Sequence, residues 1–264
     1  IKDKGDMSPL VVGGSDVWHI GFLYDLCYAN DVLESDPDFI EECYKGEKDF
    51  SDANYQKDVT DLAEVLSFAQ DGWASTPDAQ ITTFFVNDMS AMMFSGTHMF
   101  SQINDAAPDF EYGWFAVPDR DGKVNLLGGG TAGGWALSAE AAKDPDKQAA
   151  FDAFCKYFFS SDVYGAYCEA MAAIPTTVET PKMNTSEQFK SVLDALSAAD
   201  YTHLMWNQEV GNRELPPDFR NFTYKTCIEV AQGSRDVASA SSELQKTWNV
   251  ALQSFNPTTG LGVE

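Results

Sequence analysis

Positive charge is scarce in this chain: 17 lysines and arginines stand against 41 aspartates and glutamates, a formal net charge of -24 over 264 residues. No basic cluster gathers that could neutralise a row of phosphates, so nucleic acid and anionic membrane surfaces are poor partners. The acidic residues are spread along the chain without forming a tail and read as a solvated surface. Long hydrophobic runs are missing too. None approaches the roughly 18 to 20 residues needed to cross a bilayer, and no basic-then-apolar leader opens the sequence. There are three histidines, His19, His98 and His203, at spacings that make neither a metal cage nor a relay. HExxH, GxSxG and the GK[ST] of a phosphate loop are absent. Cys27, Cys43, Cys155, Cys168 and Cys227 contain no CxxC pair and mostly sit among apolar neighbours, which marks them as buried free thiols. These absences leave no metal ligands, no cofactor and no catalytic motif. Carboxylates are too abundant for any two to stand out as a glycosidase pair, so a carbohydrate-active hydrolase remains a rival reading without a motif to carry it.

What is present can fold. Hydrophobic residues make up 44% of the chain and aromatics 13%, enough for a real core. Pro9-Leu-Val-Val12 reads as a buried strand ending at Gly13-Gly14, with a helix through Phe22 to Tyr28 beyond it. Residues 34–50 read as acidic and irregular. A helix capped by Ser51 or Asp52 places Val59, Leu62, Leu66 and Ala69 on one face before Gly72. Further helices are predicted at 77–86, from His98, from Asp144-Pro145 with Phe151, Phe154 and Phe158 as a buried stripe, from Ser161 to Met171, and at 187–198 and 235–255. Strands are predicted at Met89 to Phe94 and Tyr112 to Val117. Pro118-Asp-Arg-Asp-Gly122 reads as a turn, and the twelfth position of a calcium loop built on it would be Gly130. Short strands among many helices give an α/β, helix-rich class without a regular βαβ series.

Two features point toward ligand capture. The stretch Gly128-Gly-Gly-Thr-Ala-Gly-Gly134 lets backbone approach backbone or ligand unobstructed, or simply supplies a loop with positive φ angles. Six tryptophans offer flat apolar faces that stack on sugar rings while carboxylates accept the hydroxyls. Core packing is the default for any one of them, and Trp248 fits a core stripe. Trp18 and Trp135 are the two that follow glycine-rich loops.

The order of these features resembles the extracellular solute-binding proteins of ABC sugar importers, family 1, the maltose-binding-protein-like group. The segment Phe85-Val-Asn-Asp-Met-Ser-Ala-Met-Met-Phe-Ser-Gly-Thr-His98 is similar to the family's "xAMxxxG" signature before a tryptophan. Tyr112-Gly-Trp-Phe-Ala-Val-Pro118 resembles its strand ending in proline. Residues 128–177 look like its glycine crossing, "KDP" helix pair and proline-marked return. The run from Ile1 to Trp18 resembles the passage into the second lobe, in a chain cut from a longer precursor without most of the first lobe.

The resemblance implies a type II periplasmic-binding-protein-like fold. In it, residues 1–127 form the second lobe, 128–177 a crossover that packs on the first lobe with Trp135 starting a strand, and 178–264 helices returning to the second lobe. It also implies a monomeric, non-enzymatic receptor, extracellular or periplasmic and tethered as a lipoprotein, that captures an oligosaccharide and delivers it to the transmembrane subunits of an ABC permease. The ligand-binding residues would be Asp16, Trp18, His98, Gly129, Gly130, Trp135, Phe219 and Phe222. His98 stands where the family has tryptophan, so the sugar would differ from malto-oligosaccharides. A peptide or other small molecule on the same fold is the alternative.

Overall fold

The run at Pro9 lies in strand β1 (Ser8–Val11), which pairs in parallel with β2 (Ser90–Met93), Leu10 facing Met92. The computed structural model describes residues 1–127, 134–177, 179, 181–255 and 257, the side chains of 126, 127 and 207 excepted. Its helices are α1 (Val17–Tyr28), α2 (Phe39–Lys45), α3 (Ala53–Leu66), α4 (Asp78–Val86), α5 (Met99–Ala106), α6 (Pro145–Phe158), α7 (Ser161–Met171), α8 (Glu187–Ala198), α9 (Phe219–Ala231) and α10 (Val237–Ala251). A second parallel pair joins β3 (Asn125–Leu127) to β4 (Tyr201–His203). No helix among the described residues is long and apolar enough to cross a membrane.

The chain divides into two compact units. The first takes the described residues of 1–95, 116–127 and 199–257. Its centre is α1, which carries apolar side chains on nearly every face and is enclosed by α3 and α9. A π-helical turn, Ala29–Leu33, prolongs it. Gly21 lets α9 approach, because a Cβ there would stand 2.5 Å from Cε2 of Tyr224. The core is aromatic: Tyr24 stacks on Trp206 at 4.7 Å, Phe39 on Tyr55 at 5.6 Å, and Phe219 meets the edge of Trp248 at 5.1 Å. Helix α3 is capped by the carboxylate of Asp52, which accepts from the Asn54 N–H at 2.9 Å, and its Val59, Leu62 and Leu66 are buried.

Two carboxylates lie inside this core. Asp25 accepts from the Tyr224 hydroxyl at 3.1 Å and the Trp206 N–H at 3.3 Å. Burial nevertheless pushes its carboxyl up to about 7. Asp58 is fully buried, with no hydrogen-bond partner for either oxygen among the described residues. Burial, helped by the charges of Asp31, Asp25 and Asp61, raises it well above the usual carboxylate range. Cys27, Cys43, Cys168 and Cys227 are buried free thiols, while Cys155 is half-buried.

The second unit takes the described residues of 96–115 and 134–198, and its regular elements among them are helices joined by irregular segments. Phe100, Ala172, Phe189 and Val192 form its small core, against which Tyr112, Trp114, Met183 and Leu193 pack. Asp144 caps α6 through the N–H groups of Asp146 at 3.0 Å and Lys147 at 3.4 Å, with Pro145 at the first position.

Four expectations need correction. The stripe Phe151, Phe154, Phe158 has helical spacing, but none of the three is buried and Phe154 is 39% exposed. Tyr112 to Val117 forms no strand ladder among the described residues: the Tyr112 carbonyl accepts from the Gln188 side chain at 3.0 Å, and Pro118, just beyond, forms an isolated bridge to Val124. Trp135 begins no strand; residues 134–138 have no ladder partner among the described residues. Within 34–50, Asp38 and Gly46 bracket the short helix α2, whose Phe39, Ile40 and Cys43 reach the core. The turn at Pro118 forms as expected, closed by the Asp119 carboxylate, which accepts from the N–H groups of Asp121 and Lys123 at 2.8 Å each.

Candidate functional site

Strand β1 delivers the chain to Gly13 and Gly14, and two loops meet there. The Gly14 N–H donates to the Trp73 carbonyl at 2.9 Å and the Ser15 N–H to that of Thr76 at 3.1 Å. A Cβ at Gly13 would lie 2.7 Å from Cα of Asp78, and one at Gly14 would lie 2.5 Å from Cε3 of Trp73, so only glycine permits this contact. Beneath it, the buried amide of Gln70 clamps the end of the strand. Its Oε1 accepts from the Val12 N–H at 2.9 Å while its Nε2 donates to the Val12 carbonyl at 2.8 Å.

On this base α1 begins, with Asp16 at the capping position and Trp18 in the first turn. Asp16 is half-buried; its Oδ2 accepts from the Asp78 N–H at 2.7 Å, and its other oxygen has no protein partner among the described residues. Trp18 is 43% exposed and rests edge-on against Phe22, ring centroids 5.5 Å apart. A rigid helix end thus presents a broad indole beside a carboxylate acceptor, the pair of groups that suits a sugar ring.

The remaining expected residues fall elsewhere. His98 belongs to the second unit, at the start of α5, half-buried and folded back so that a Cβ on Gly96 would touch its Nδ1 at 2.7 Å. Trp135, in the same unit, is 53% exposed and meets the edges of Phe154 at 5.0 Å and Phe158 at 5.3 Å. Gly129 and Gly130 lie outside the described residues. Phe219 is only 1% exposed, packed against Phe50, Trp206 and Trp248, and has no face open to a ligand: its place is the core. Phe222, on the same helix, is half-buried against that core. Among the described residues no group of three or more histidine, cysteine, aspartate or glutamate side chains is placed to hold a metal ion.

Sequence reading missed Gln70, Trp73 and Asp78, which build the base under Trp18, and the role of His19. Asp78 falls within the helix expected at 77–86 and is the first residue of α4. Gln70 carried no signal, since its partner Val12 lies 58 positions away.

A family model described as bacterial extracellular solute-binding protein matches residues 24–192. No curated protein sequence matches significantly. Among solved structures, the chain is similar to a chitin oligosaccharide binding protein at 17% identity and a TM-score of 0.75, covering 94% of this chain and 61% of that one. It is similar to a sugar transporter from Bacillus licheniformis in complex with stachyose at 14% identity and a TM-score of 0.69, covering 95% and 62%. It is also similar to the binding protein RafE in complex with raffinose at 17% identity and a TM-score of 0.67, covering 95% and 63%. The chain therefore spans a little over three-fifths of the length of these structures, and it shares their α/β, helix-rich fold.

Proposed function

Since this chain belongs to the bacterial extracellular solute-binding proteins, we propose that it is the ligand-binding part of an ABC importer's receptor and that its ligand is a carbohydrate. The observation that carries this reading is the exposed indole of Trp18 on the first turn of α1, near the half-buried Asp16 carboxylate, one oxygen of which is engaged by the Asp78 N–H while the other has no protein partner among the described residues. In this reading the indole covers the apolar face of a sugar ring while Asp16 accepts a ring hydroxyl. His98 and Trp135, which belong to the second unit, and Gly129 and Gly130 are candidates by the family resemblance alone. In this reading the protein binds and releases its ligand unchanged, which membership of a binding-protein family supports. Delivery to a membrane permease and tethering as a lipoprotein belong to the same proposal and rest on family membership. The sugars bound by the structural neighbours support oligosaccharides as the first candidates.

The test is a thermal-shift screen of mono- and oligosaccharides against the full-length protein and its Trp18→Ala variant. One glycan class is expected to stabilise the wild type saturably, by about 2.7 kcal/mol at a hundredfold excess over Kd, and to lose that effect in the variant. A folded protein that responds to no sugar in the panel contradicts the carbohydrate assignment.

A further inference from the structure

We propose that His19 and Asp78 are the positioning residues of the Trp18 platform, holding the first turn of α1 in the one rotational phase that points the indole outward. The bonds form a closed ring. The Asp16 carboxylate sits at the capping position of α1 yet makes no side-chain bond to its own helix; it accepts instead from the Asp78 N–H of α4. The Asp78 carboxylate accepts from Nδ1 of His19 at 2.8 Å, and the His19 N–H donates to the Asp16 carbonyl at 2.8 Å, which completes the circuit. Two helix starts are thereby tied reciprocally, each lending its carboxylate to the other.

Successive residues on a helix point about 100° apart. His19 is fully buried and anchored; its neighbour Trp18 is therefore turned outward, its indole 5.7 Å from the imidazole in an edge contact. The same ring fixes Asp16, so one oxygen is spoken for and the other is presented in a constant direction. Stability alone does not require this arrangement, because a buried polar pair can often be replaced by apolar residues without loss. Direction is what the pair supplies.

The proposal deepens the receptor reading, and its test separates the two. In full-length protein labelled with ¹⁵N-tryptophan, the indole N–H of Trp18, assigned with Trp18→Phe, is followed by its heteronuclear NOE in the absence of any sugar. Raffinose and tri-N-acetylchitotriose are then titrated by calorimetry. His19→Leu and Asp78→Ala are expected to lower the NOE of the Trp18 indole while that of core Trp248 is unchanged, and to weaken the binding sugar at least tenfold. His19→Asn, whose amide N–H can take the place of Nδ1, is expected to restore both. Should His19→Leu fail to fold, Asp78→Ala, whose side chain is partly exposed, gives the same reading. A Trp18 indole as rigid in these variants as in the wild type overturns the proposal, as does wild-type affinity with a mobile indole. If neither sugar binds the wild type, the receptor reading loses these ligands and the NOE still decides the positioning role.

Discussion

At the scale of single residues, two aromatics expected to do the same work do opposite things. Trp18 is exposed on a helix start; Phe219 is sealed in the core. Replacing Phe219 with alanine is expected to cost about 3 to 5 kcal/mol in urea unfolding, the penalty of a core cavity. The misreading has a physical origin: aromatic content marks a residue able to stack but not the direction it faces. The signal that could have corrected it is periodicity, since Phe219, Thr223, Tyr224 and Cys227 fall on one buried helical face. The buried carboxylates give a second expectation. The folded forms of Asp25 and Asp58 hold protons that the unfolded chain releases. Their contribution is therefore complete below the ordinary carboxylate value of 3.8 and is lost as pH rises through the raised values, about 7 for Asp25. Asp58→Asn keeps a neutral side chain at every pH, so its melting temperature should exceed that of the wild type by a margin that widens between about pH 5 and pH 8. Parallel melting curves across that range would show that Asp58 is ionised in the folded protein as it is in the unfolded chain.

At the scale of elements, local chemistry was readable and tertiary partnership was not. The Asp52 cap of α3, the Asp144-Pro145 start of α6 and the turn at Asp119 are written in adjacent residues, and the structure has all three. Helical spacing of Phe154 and Phe158 was equally plain, yet spacing shows that a stripe exists without showing what covers it. Tyr112 to Val117 has strand-like composition and no ladder, because composition cannot supply a neighbouring strand. Gln70 illustrates the same limit. A glutamine near a helix end says nothing of the strand terminus it clamps. Gln70→Leu leaves the buried N–H and carbonyl of Val12 without their side-chain partner, and a loss of about 3 kcal/mol is expected in denaturant unfolding. The variant should also weaken ligand binding, since the loop that carries Asp16 rests on this clamp; unchanged stability would mean the loop closes on itself without it.

At the scale of the whole molecule, charge and feature order carried the reading. A net charge of -24 makes self-repulsion a general cost of the compact state. Raising sodium chloride from about 20 to about 300 mM should therefore raise the melting temperature by screening it; a melting temperature that falls with salt would show that attractive ion pairs, such as those of Arg120 with Asp61 and Glu64, dominate instead. The α/β class and the family were legible because several short motifs occur in one order, each weak by itself. The grouping into two units was less so, since residues 96–115 join 134–198 by packing rather than by sequence adjacency.

The central claim is sugar capture at the Trp18 platform. The most direct measurement is calorimetric titration of raffinose, stachyose and chitin oligosaccharides into the full-length protein, Trp18→Ala and Phe219→Leu. The account expects one of these sugars to bind the wild type with a stoichiometry of one, Trp18→Ala to lose at least tenfold in affinity, and Phe219→Leu to melt earlier while keeping its Kd within about a factor of two. Binding that survives Trp18→Ala unchanged, or no binding of any sugar by the folded wild type, would contradict it.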